Sequence, residues 1–175
     1  MSWYVIQVET GYEDEVCRFI DQVKPYLMEY IDYKLLNPKR LIYERKNGVR
    51  KKVARILFPG YILVETNQIV DFYHRISGRP HIIRFLRNSG CFLEVRSEEM
   101  QHILSMANKE GFIGISQGLI INDTVRIIEG PLLDREGIIK KIDKRKGRAK
   151  VEFLINNNPL LIDLGVDIIQ KIRQQ

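Results

Sequence analysis

The sequence contains few of the residues from which disulfide frameworks, metal sites and membrane spans are built. Its 175 residues include two cysteines, Cys17 and Cys91, and three histidines, His74, His81 and His102, none at the spacing of metal ligands. No apolar run approaches the roughly 20 residues that cross a bilayer, and the N-terminus lacks the basic and apolar segments of a signal peptide. We therefore expect a cytoplasmic protein with reduced thiols, no bound metal and no membrane association.

Signals of catalysis are also missing. The sequence has no glycine loop followed by Lys and Ser or Thr, which would cradle a phosphate, and no GxGxxG motif that opens a helix. No nucleophile stands beside a base in a recognisable motif. These absences predict that the chain is not an enzyme and uses no cofactor, which leaves binding as its function.

Positive charge is what the sequence has in excess. Lys and Arg number 28 against 22 Asp and Glu, which gives a formal net charge of +6. Such a balance favours a polyanionic partner, nucleic acid before a membrane surface. The length accommodates one domain of about 100 residues together with a module of about 50 to 60 residues.

The first 108 residues mix strand and helix patterns. Trp3–Glu9 is rich in β-branched and aromatic residues and predicts a strand, and the apolar spacing from Tyr12 predicts a helix that ends at about Lys24, before Pro25. The later predicted elements are a hairpin turning at Asn47 and Gly48, a central strand at Tyr61–Glu65, a helix around 70–76, strands at His81–Leu86 and Cys91–Val95, and a helix capped by Ser97. The mixture indicates an α+β sandwich with one helical layer on a sheet.

After residue 108 the pattern changes to short β segments. The stretch KEGFIGISQG, from Lys109, holds three glycines without a clear period and predicts a flexible linker over 109–117. Residues 118–175 then contain five β-type runs, TVRII, EGIIKKI, AKVEFL, LLIDL and DIIQKI, separated by glycines and Pro159. Five short strands in about 55 residues predict a small β-barrel.

Two basic clusters surround predicted hairpin tips. The first comprises Lys39, Arg40, Arg45, Lys46, Arg50, Lys51, Lys52 and Arg55 against Glu44 alone, and the second comprises Arg135, Lys140, Lys141, Lys144, Arg145, Lys146, Arg148 and Lys150. Each cluster is either a solvated hairpin face or a surface that follows phosphates. Their placement favours phosphate contact, because side chains at a tip project without disturbing a core, and such binding weakens steeply as salt rises.

Three segments carry a resemblance to a known family: WYVIQVETGYE, KKVARILFPGYILVE and DTVRIIEGPLLDREGIIKKIDKRKGRAKVEF. Their order and spacing resemble the NusG family of transcription elongation factors over essentially the whole chain. The resemblance implies an N-terminal domain over 1–108, with a ferredoxin- or RNP-like antiparallel sheet and helices, that binds the clamp helices of RNA polymerase. It further implies a flexible linker over 109–117 and a five-stranded, SH3-like KOW β-barrel over 118–175, in a monomeric protein.

Four aromatic residues match the polymerase-binding patch that the resemblance implies. They are Trp3, Tyr4, Phe58 and Tyr61, the last two within the FPGY segment. For Trp3, burial in the sheet core is an equally good interpretation. The hairpin at 39–55 would then lie close to the polymerase or to upstream or non-template DNA.

The KOW segment departs from the general members of the family. Its loop GPLLDREG has Leu132 and Arg135 where those members carry aromatic contacts, and FLINNNPLL has no FGR tripeptide, which puts contact with Rho or a ribosomal protein in question. Charge takes their place, and in this respect the chain resembles LoaP, a specialised antitermination paralogue whose KOW domain is implicated in binding an RNA hairpin. The predicted RNA-binding residues are Arg135, Lys140, Lys141, Lys144, Arg145, Lys146, Arg148, Lys150 and Asn156, the last of which is otherwise a plain turn residue.

Three functions stay open at this point. The favoured one is a processive antitermination factor that binds RNA polymerase and a hairpin in the nascent leader RNA. The second is a general NusG-type elongation factor that couples polymerase to Rho or the ribosome, and the third is a KOW protein of the ribosome or its assembly, against which FPGY argues. No aromatic residue lies between Gly130 and Lys150, which favours duplex RNA over a single strand that needs stacking platforms.

Overall fold

The structure is a computed structural model and describes residues 1–27, 29–122 and 124–172. It confirms the predicted α+β organisation followed by a β-rich segment. In chain order the elements are β1 (Ser2–Val8), α1 (Glu13–Leu27), β2 (Tyr33–Leu36), β3 (Lys39–Lys46), β4 (Val49–Ile56), β5 (Tyr61–Thr66), α2 (Ile69–Ile76), β6 (Ile82–Phe85), β7 (Arg87–Asn88), β8 (Cys91–Phe92), β9 (Glu94–Val95), α3 (Ser97–Met106), β10 (Phe112–Ile113), β11 (Ser116–Ile121), β12 (Thr124–Glu129), a 3-10 turn (Glu136–Ile138), β13 (Ile139–Asp143), β14 (Arg148–Ile155) and β15 (Asn158–Ile172). Within the described residues no helix is long and apolar enough to cross a membrane.

These elements form two compact units. Unit one contains Met1–Asn37 and Phe58–Met100, and unit two contains Pro38–Leu57 with the described residues from Gln101 onward. The β3–β4 hairpin therefore groups with the C-terminal strands, although the sequence places it inside an N-terminal domain at 1–108. The domain limits 1–108 and 118–175 stay a prediction.

Unit one is an antiparallel sheet with helices. The strand order is β2-β5-β1-β6, and β9 also pairs with β1. The predicted central position of the YILVE strand is confirmed, because β5 lies between β2 and β1. Ile6 of β1 pairs with Ile62 of β5, and both join a core with Ile20 of α1 and Phe72 and Ile76 of α2, all without solvent exposure. Burial of each such side chain contributes about 1.5 to 3 kcal/mol.

Helix α1 is longer than predicted, because it continues past Pro25 to Leu27. A proline removes its own N–H from the helical ladder, here the bond to the carbonyl of Asp21, and its ring crowds that carbonyl. Since the helix has one short stretch left after that position, the loss does not end it at Lys24.

Unit two begins with the β3–β4 hairpin. Its predicted turn is confirmed, since Asn47 and Gly48 have φ angles of 52° and 80° and connect the paired residues Lys46 and Val49. A two-residue turn of this hand needs positive φ at both central positions, which Asn-Gly adopts at little cost.

The predicted linker at 109–117 is partly strand. Phe112 and Ile113 form β10, which pairs in parallel with β3, and Ile113 is fully buried. The carbonyl of the Asn108 side chain accepts hydrogen bonds from the N–H groups of Glu110 and Phe112, which turns the chain into that strand. The glycines that suggested flexibility lie beside a buried apolar residue, and burial decides the conformation.

The C-terminal strands form one sheet in the order β12-β11-β15-β14-β13. Five strands are confirmed, but their membership differs from the prediction. LLIDL and DIIQKI are parts of the single strand β15, and β11, of which only Ser116 and Gln117 fall in the predicted linker, was not among the predicted strands. Gly118 lies within β11, where an added Cβ would meet side chains of Val125, Ile168 and Val166 at 3.0 to 3.4 Å. The neighbouring side chains therefore fill the space that Gly118 leaves. The glycine, which made the strand hard to recognise in the sequence, does not interrupt it.

Strand β15 changes partner along its length. Asn158–Gly165 pairs with β14, and the residues from Val166 onward pair in parallel with β11. Leu164 and Val166 are buried, as are Ala149 and Val151 of β14, and Leu164 pairs with Ala149. One strand thereby connects both halves of the sheet.

A buried carboxylate fixes the FPGY segment in unit one. Glu13, the first residue of α1, accepts hydrogen bonds from the N–H of Gly60 (2.7 Å) and the N–H of Gly11 (2.8 Å), and it is fully buried. Gly60 has a φ angle of 83°, which favours glycine at this turn. The position of Tyr61 therefore depends on one side chain at a helix N-terminus.

Glu13→Ala should destabilise unit one by about 3 kcal/mol, because two main-chain N–H groups lose a charged acceptor in a buried site. Urea unfolding followed by the fluorescence of Trp3, the one tryptophan of the sequence and itself buried, measures this loss. Glu15→Ala is the matched control, since it removes an exposed carboxylate from the same helical turn. Equal effects of the two substitutions would contradict the assignment.

Candidate functional site

The four predicted aromatic residues do not form one surface. Trp3 and Phe58 are 6% and 7% exposed, so each is largely core, as the alternative for Trp3 anticipated. Tyr4 and Tyr61 are partly buried. Strand alternation and the β1–β5 register place Tyr61 and Trp3 on one face of the sheet and Tyr4 on the opposite face, where it packs on the helical core. Tyr61 is the aromatic residue of FPGY that keeps exposed area.

Several predicted RNA-binding residues already have protein partners. Lys140 Nζ lies 2.8 Å from Glu152 Oε1, and Lys150 Nζ lies 3.0 Å from Asp163 Oδ1. Arg135 donates from Nη2 to Ser105 Oγ at 3.0 Å. The two ion pairs are exposed and therefore weak, but they offset part of the positive charge that the sequence count suggested, whereas the Ser105 hydroxyl leaves the charge of Arg135 in place. Leu132, the neighbour of Arg135 in the altered loop, is fully buried.

The turn between β13 and β14 presents the next group of cations. Lys144, Arg145 and Lys146 are exposed, and the carboxylate of Asp143 accepts a hydrogen bond from the N–H of Lys146 at 2.8 Å. This bond lowers the pKa of Asp143. Near neutral pH the carboxylate is therefore ionised and holds the turn. The exposed Lys141, on β13, lies beside this turn in a smaller cleft.

Asn156 lies in a turn, as the alternative for this residue anticipated. Asn156 and Asn157 have φ angles of 52° and 62° and connect the paired residues Ile155 and Asn158. Asparagine tolerates this conformation better than most residues, which accounts for the repeated Asn. A contact between Asn156 and RNA stays a prediction.

Unit two brings the two basic clusters together in one cleft of about 780 Å³. One wall is the β3–β4 hairpin, and the other is the β13–β14 turn with part of β15. The ionisable side chains that line the cleft are the cations Arg45, Arg50, Lys144, Arg145, Lys146 and Arg148 and the carboxylates Glu44, Asp143 and Asp167. The surplus of cations suits a polyanion.

Arginine side chains connect the two walls. Arg40 of β3 donates to the carbonyl of Asp163 (2.9 Å), and Arg148 of β14 donates to the carbonyl of Tyr43 (3.2 Å). Arg50 pairs with Asp167 at 2.9 Å, and its guanidinium lies 3.7 Å from the centroid of the Tyr43 ring. Burial lowers the pKa of Arg40, yet an arginine remains charged at neutral pH.

The contact between the β3–β4 hairpin and the C-terminal sheet, called the seam below, also brings two main chains close together. A Cβ added at Gly165 of β15 would lie 2.5 Å from the carbonyl oxygen of Leu41 in β3. Sequence reasoning missed Gly165 and Tyr43 as site residues, because it assigned the hairpin to a different domain. No local pattern signals this contact between distant segments.

Among the described residues no cluster of His, Cys, Asp and Glu suits a metal ion. The cleft is lined by six cations, three carboxylates and the ring of Tyr43, among other residues. The cations are the groups there that attract an anion.

Comparison with known proteins gives matches over both segments of the chain. The family described as "Transcription termination factor nusG" matches residues 1–104, and the KOW motif matches residues 121–152. The transcription termination/antitermination protein NusG of Pseudomonas aeruginosa is 28% identical over 173 residues, covering 97% of this chain and 98% of that protein. The protein of the same name from Vibrio vulnificus is 27% identical, covering 97% and 95%.

A solved structure shares the fold. It is described as "Domain interaction in Thermotoga maritima NusG", and it aligns with a TM-score of 0.56 and 24% identity over 94% of this chain and 93% of that chain. At this identity the likeness supports the fold alone.

Gly165→Ala should destabilise unit two by about 1 to 3 kcal/mol, because the added methyl group overpacks the seam against the carbonyl of Leu41. Gly137→Ala is the matched control: a Cβ there meets nothing within 4 Å, and we expect a change within about 0.5 kcal/mol. Guanidinium unfolding followed by circular dichroism compares the two variants. A Gly165→Ala protein as stable as the Gly137→Ala protein would refute the close contact.

Proposed function

The chain belongs to the NusG family of transcription termination and antitermination factors, and we propose that it is a specialised antiterminator. In this proposal its N-terminal segment binds the clamp helices of RNA polymerase, and its basic cleft binds a hairpin in the nascent leader RNA. The LoaP-like specialisation is part of the proposal.

The basic cleft is the observation that carries the proposal. Cations from two segments far apart in sequence line one cleft, and the turn at Lys144–Lys146 is exposed and held by Asp143. Duplex RNA is recognised mostly through phosphates, hydroxyl groups and shape, for which cations on a rigid turn suffice. A single strand would need exposed aromatic rings on which bases stack.

Tyr61 supports the polymerase part of the proposal. It follows Gly60, which Glu13 holds, and it keeps exposed area on a sheet face. An aromatic ring of this kind contributes apolar contact area while its hydroxyl group stays at the rim, which suits a groove that receives a helix. Upstream or non-template DNA is a further candidate partner near the hairpin.

Two sites on one chain also explain selectivity. Once RNA polymerase is bound, the emerging transcript reaches the cleft at a high effective concentration, so a moderate RNA affinity suffices. Transcripts that fold a hairpin are then retained, and unstructured transcripts are released.

A general NusG role is the second candidate. Leu154, Pro159 and Leu161 are exposed, and the β14–β15 register places them on one face of this hairpin. An exposed apolar group of this kind is typical of a protein contact. Retention of Rho or a ribosomal protein by the immobilised chain in a pull-down, without RNA binding, would favour this role. A ribosomal or assembly KOW protein is the weaker alternative, because the family match covers residues 1–104.

Reversal of Lys144, Arg145 and Lys146 to Glu should abolish specific RNA binding. Each lost phosphate contact lowers the slope of log affinity against log salt by about 0.7 to 0.9, so the slope should fall by about two. Fluorescence anisotropy with a labelled RNA stem-loop from the leader RNA of a controlled operon measures both the affinity and the salt slope. The control is the reversal of exposed Lys34, Arg75 and Arg79 in unit one, which changes the net charge equally. Unchanged affinity after reversal of Lys144, Arg145 and Lys146 would contradict their assignment to RNA binding.

Tyr61→Ala should abolish read-through of terminators in a reconstituted transcription assay while leaving RNA affinity unchanged, because it removes a polymerase contact and no cation. Tyr26→Ala is the matched control, since that ring is 85% exposed on α1 and outside the FPGY segment. Read-through that survives Tyr61→Ala would show that the polymerase contact lies elsewhere.

A further inference from the structure

We infer that the β3–β4 hairpin is the second wall of the RNA site, so that one RNA duplex contacts Arg45 of the hairpin and the β13–β14 turn together. The inference rests on the proposed function and deepens it. It adds a binding surface from outside the KOW segment and assigns a phosphate contact to a residue that the sequence grouped with a polymerase or DNA contact.

The two faces of the hairpin are chemically different. Arg45 pairs with Arg50, and strand alternation puts both on the face that carries Tyr43. Arg45, Arg50 and Tyr43 all line the cleft. Lys46 and Lys51 lie on the opposite face by the same alternation and do not line it. The hairpin therefore presents the cations Arg45 and Arg50 to the cleft and keeps Lys46 and Lys51 out of its lining, although Glu44, the register partner of Lys51, also lines the cleft.

The two arginines of the cleft face have different roles. Arg50 pairs with Asp167 and lies over the Tyr43 ring, so its guanidinium is already engaged with the protein. Arg45 is exposed and lies at the end of β3, next to the turn. We assign the phosphate contact to Arg45 and a positioning role to Arg50.

The wall is in place before any ligand binds. Arg40 and Arg148 each donate to a main-chain carbonyl across the seam, and Gly165 permits the main chains to approach. Arg40 does not line the cleft, so a phosphate that enters the cleft does not compete for its bond. A pre-positioned cationic wall avoids the ordering cost that a flexible one would add to binding.

The contents of the cleft favour a duplex. Tyr43 is the aromatic residue that lines it, and the Arg50 guanidinium covers its ring at 3.7 Å, so a base does not reach that face without displacing Arg50. Stacking is the main source of affinity for single strands. Cations on two facing walls instead match the two phosphate backbones that border a groove of an A-form helix.

Arg45→Glu in the full chain tests the inference, with Lys51→Glu as the matched control. The two substitutions change the same charge on the same hairpin, on opposite faces. The probe is a fluorescein-labelled, GC-rich RNA stem-loop with a stable tetraloop, measured by anisotropy over a salt series. We expect Arg45→Glu to weaken binding about ten-fold and to lower the salt slope by about one. Lys51→Glu should change affinity less than about two-fold.

The outcomes separate this inference from the proposed function. If the unmodified chain does not bind the stem-loop, the proposed function fails. If reversal of Lys144, Arg145 and Lys146 weakens binding and Arg45→Glu does not, the second wall is wrong and the proposed function stands.

Equal losses in Arg45→Glu and Lys51→Glu would also overturn the inference, because they would show general attraction by a basic hairpin and no contact. Equal affinity for a DNA duplex of the same sequence, or tighter binding of an unstructured RNA of equal length, would overturn the assignment to duplex RNA. Circular dichroism checks that both variants are folded. We expect that they are, because both substituted residues are exposed.

Discussion

The reciprocal arginine bonds between the β3–β4 hairpin and the C-terminal sheet are the interaction on which the basic cleft depends. Arg40 and Arg148 cross the seam in opposite directions, and each donates to a main-chain carbonyl of the other side. Without them the hairpin and the β13–β14 turn would be separate basic loops, each solvated and each weak as an anion site. With them, cations that are about a hundred positions apart in sequence line one cleft.

The seam determines the position of the hairpin more than it stabilises the fold. The Nε atoms of Arg40 and Arg148 are buried and have no hydrogen-bond partner among the described residues. Each unsatisfied donor offsets part of the gain from its neighbour. The geometry therefore fixes where the hairpin lies, while the contact adds modest stability.

Local signals in the sequence predicted much of the fold. The Asn47-Gly48 turn, the central strand β5 and the α2 helix follow from turn chemistry and periodicity, which act over a few residues. The errors have two causes. Helix α1 passes Pro25 because only a short stretch of helix follows the proline, whereas the pairing of buried Ile113 with the distant strand β3 converts a glycine-rich stretch into strand. For the candidate site, composition identified the basic clusters, but the partners of Lys140 and Lys150 depend on packing and strand register. The convergence of the clusters has no local signal.

The choice of acceptors at the seam has a consequence for how the protein tolerates change. Every residue carries a main-chain carbonyl, so substitution at positions 43 and 163 leaves both acceptors in place. At the seam, Arg40 and Arg148 are constrained as donors, and Gly165 is constrained by the close approach of the main chains. Related chains are therefore free to vary the surfaces around the seam, and with them the shape that a ligand meets, while the hairpin keeps the same attachment.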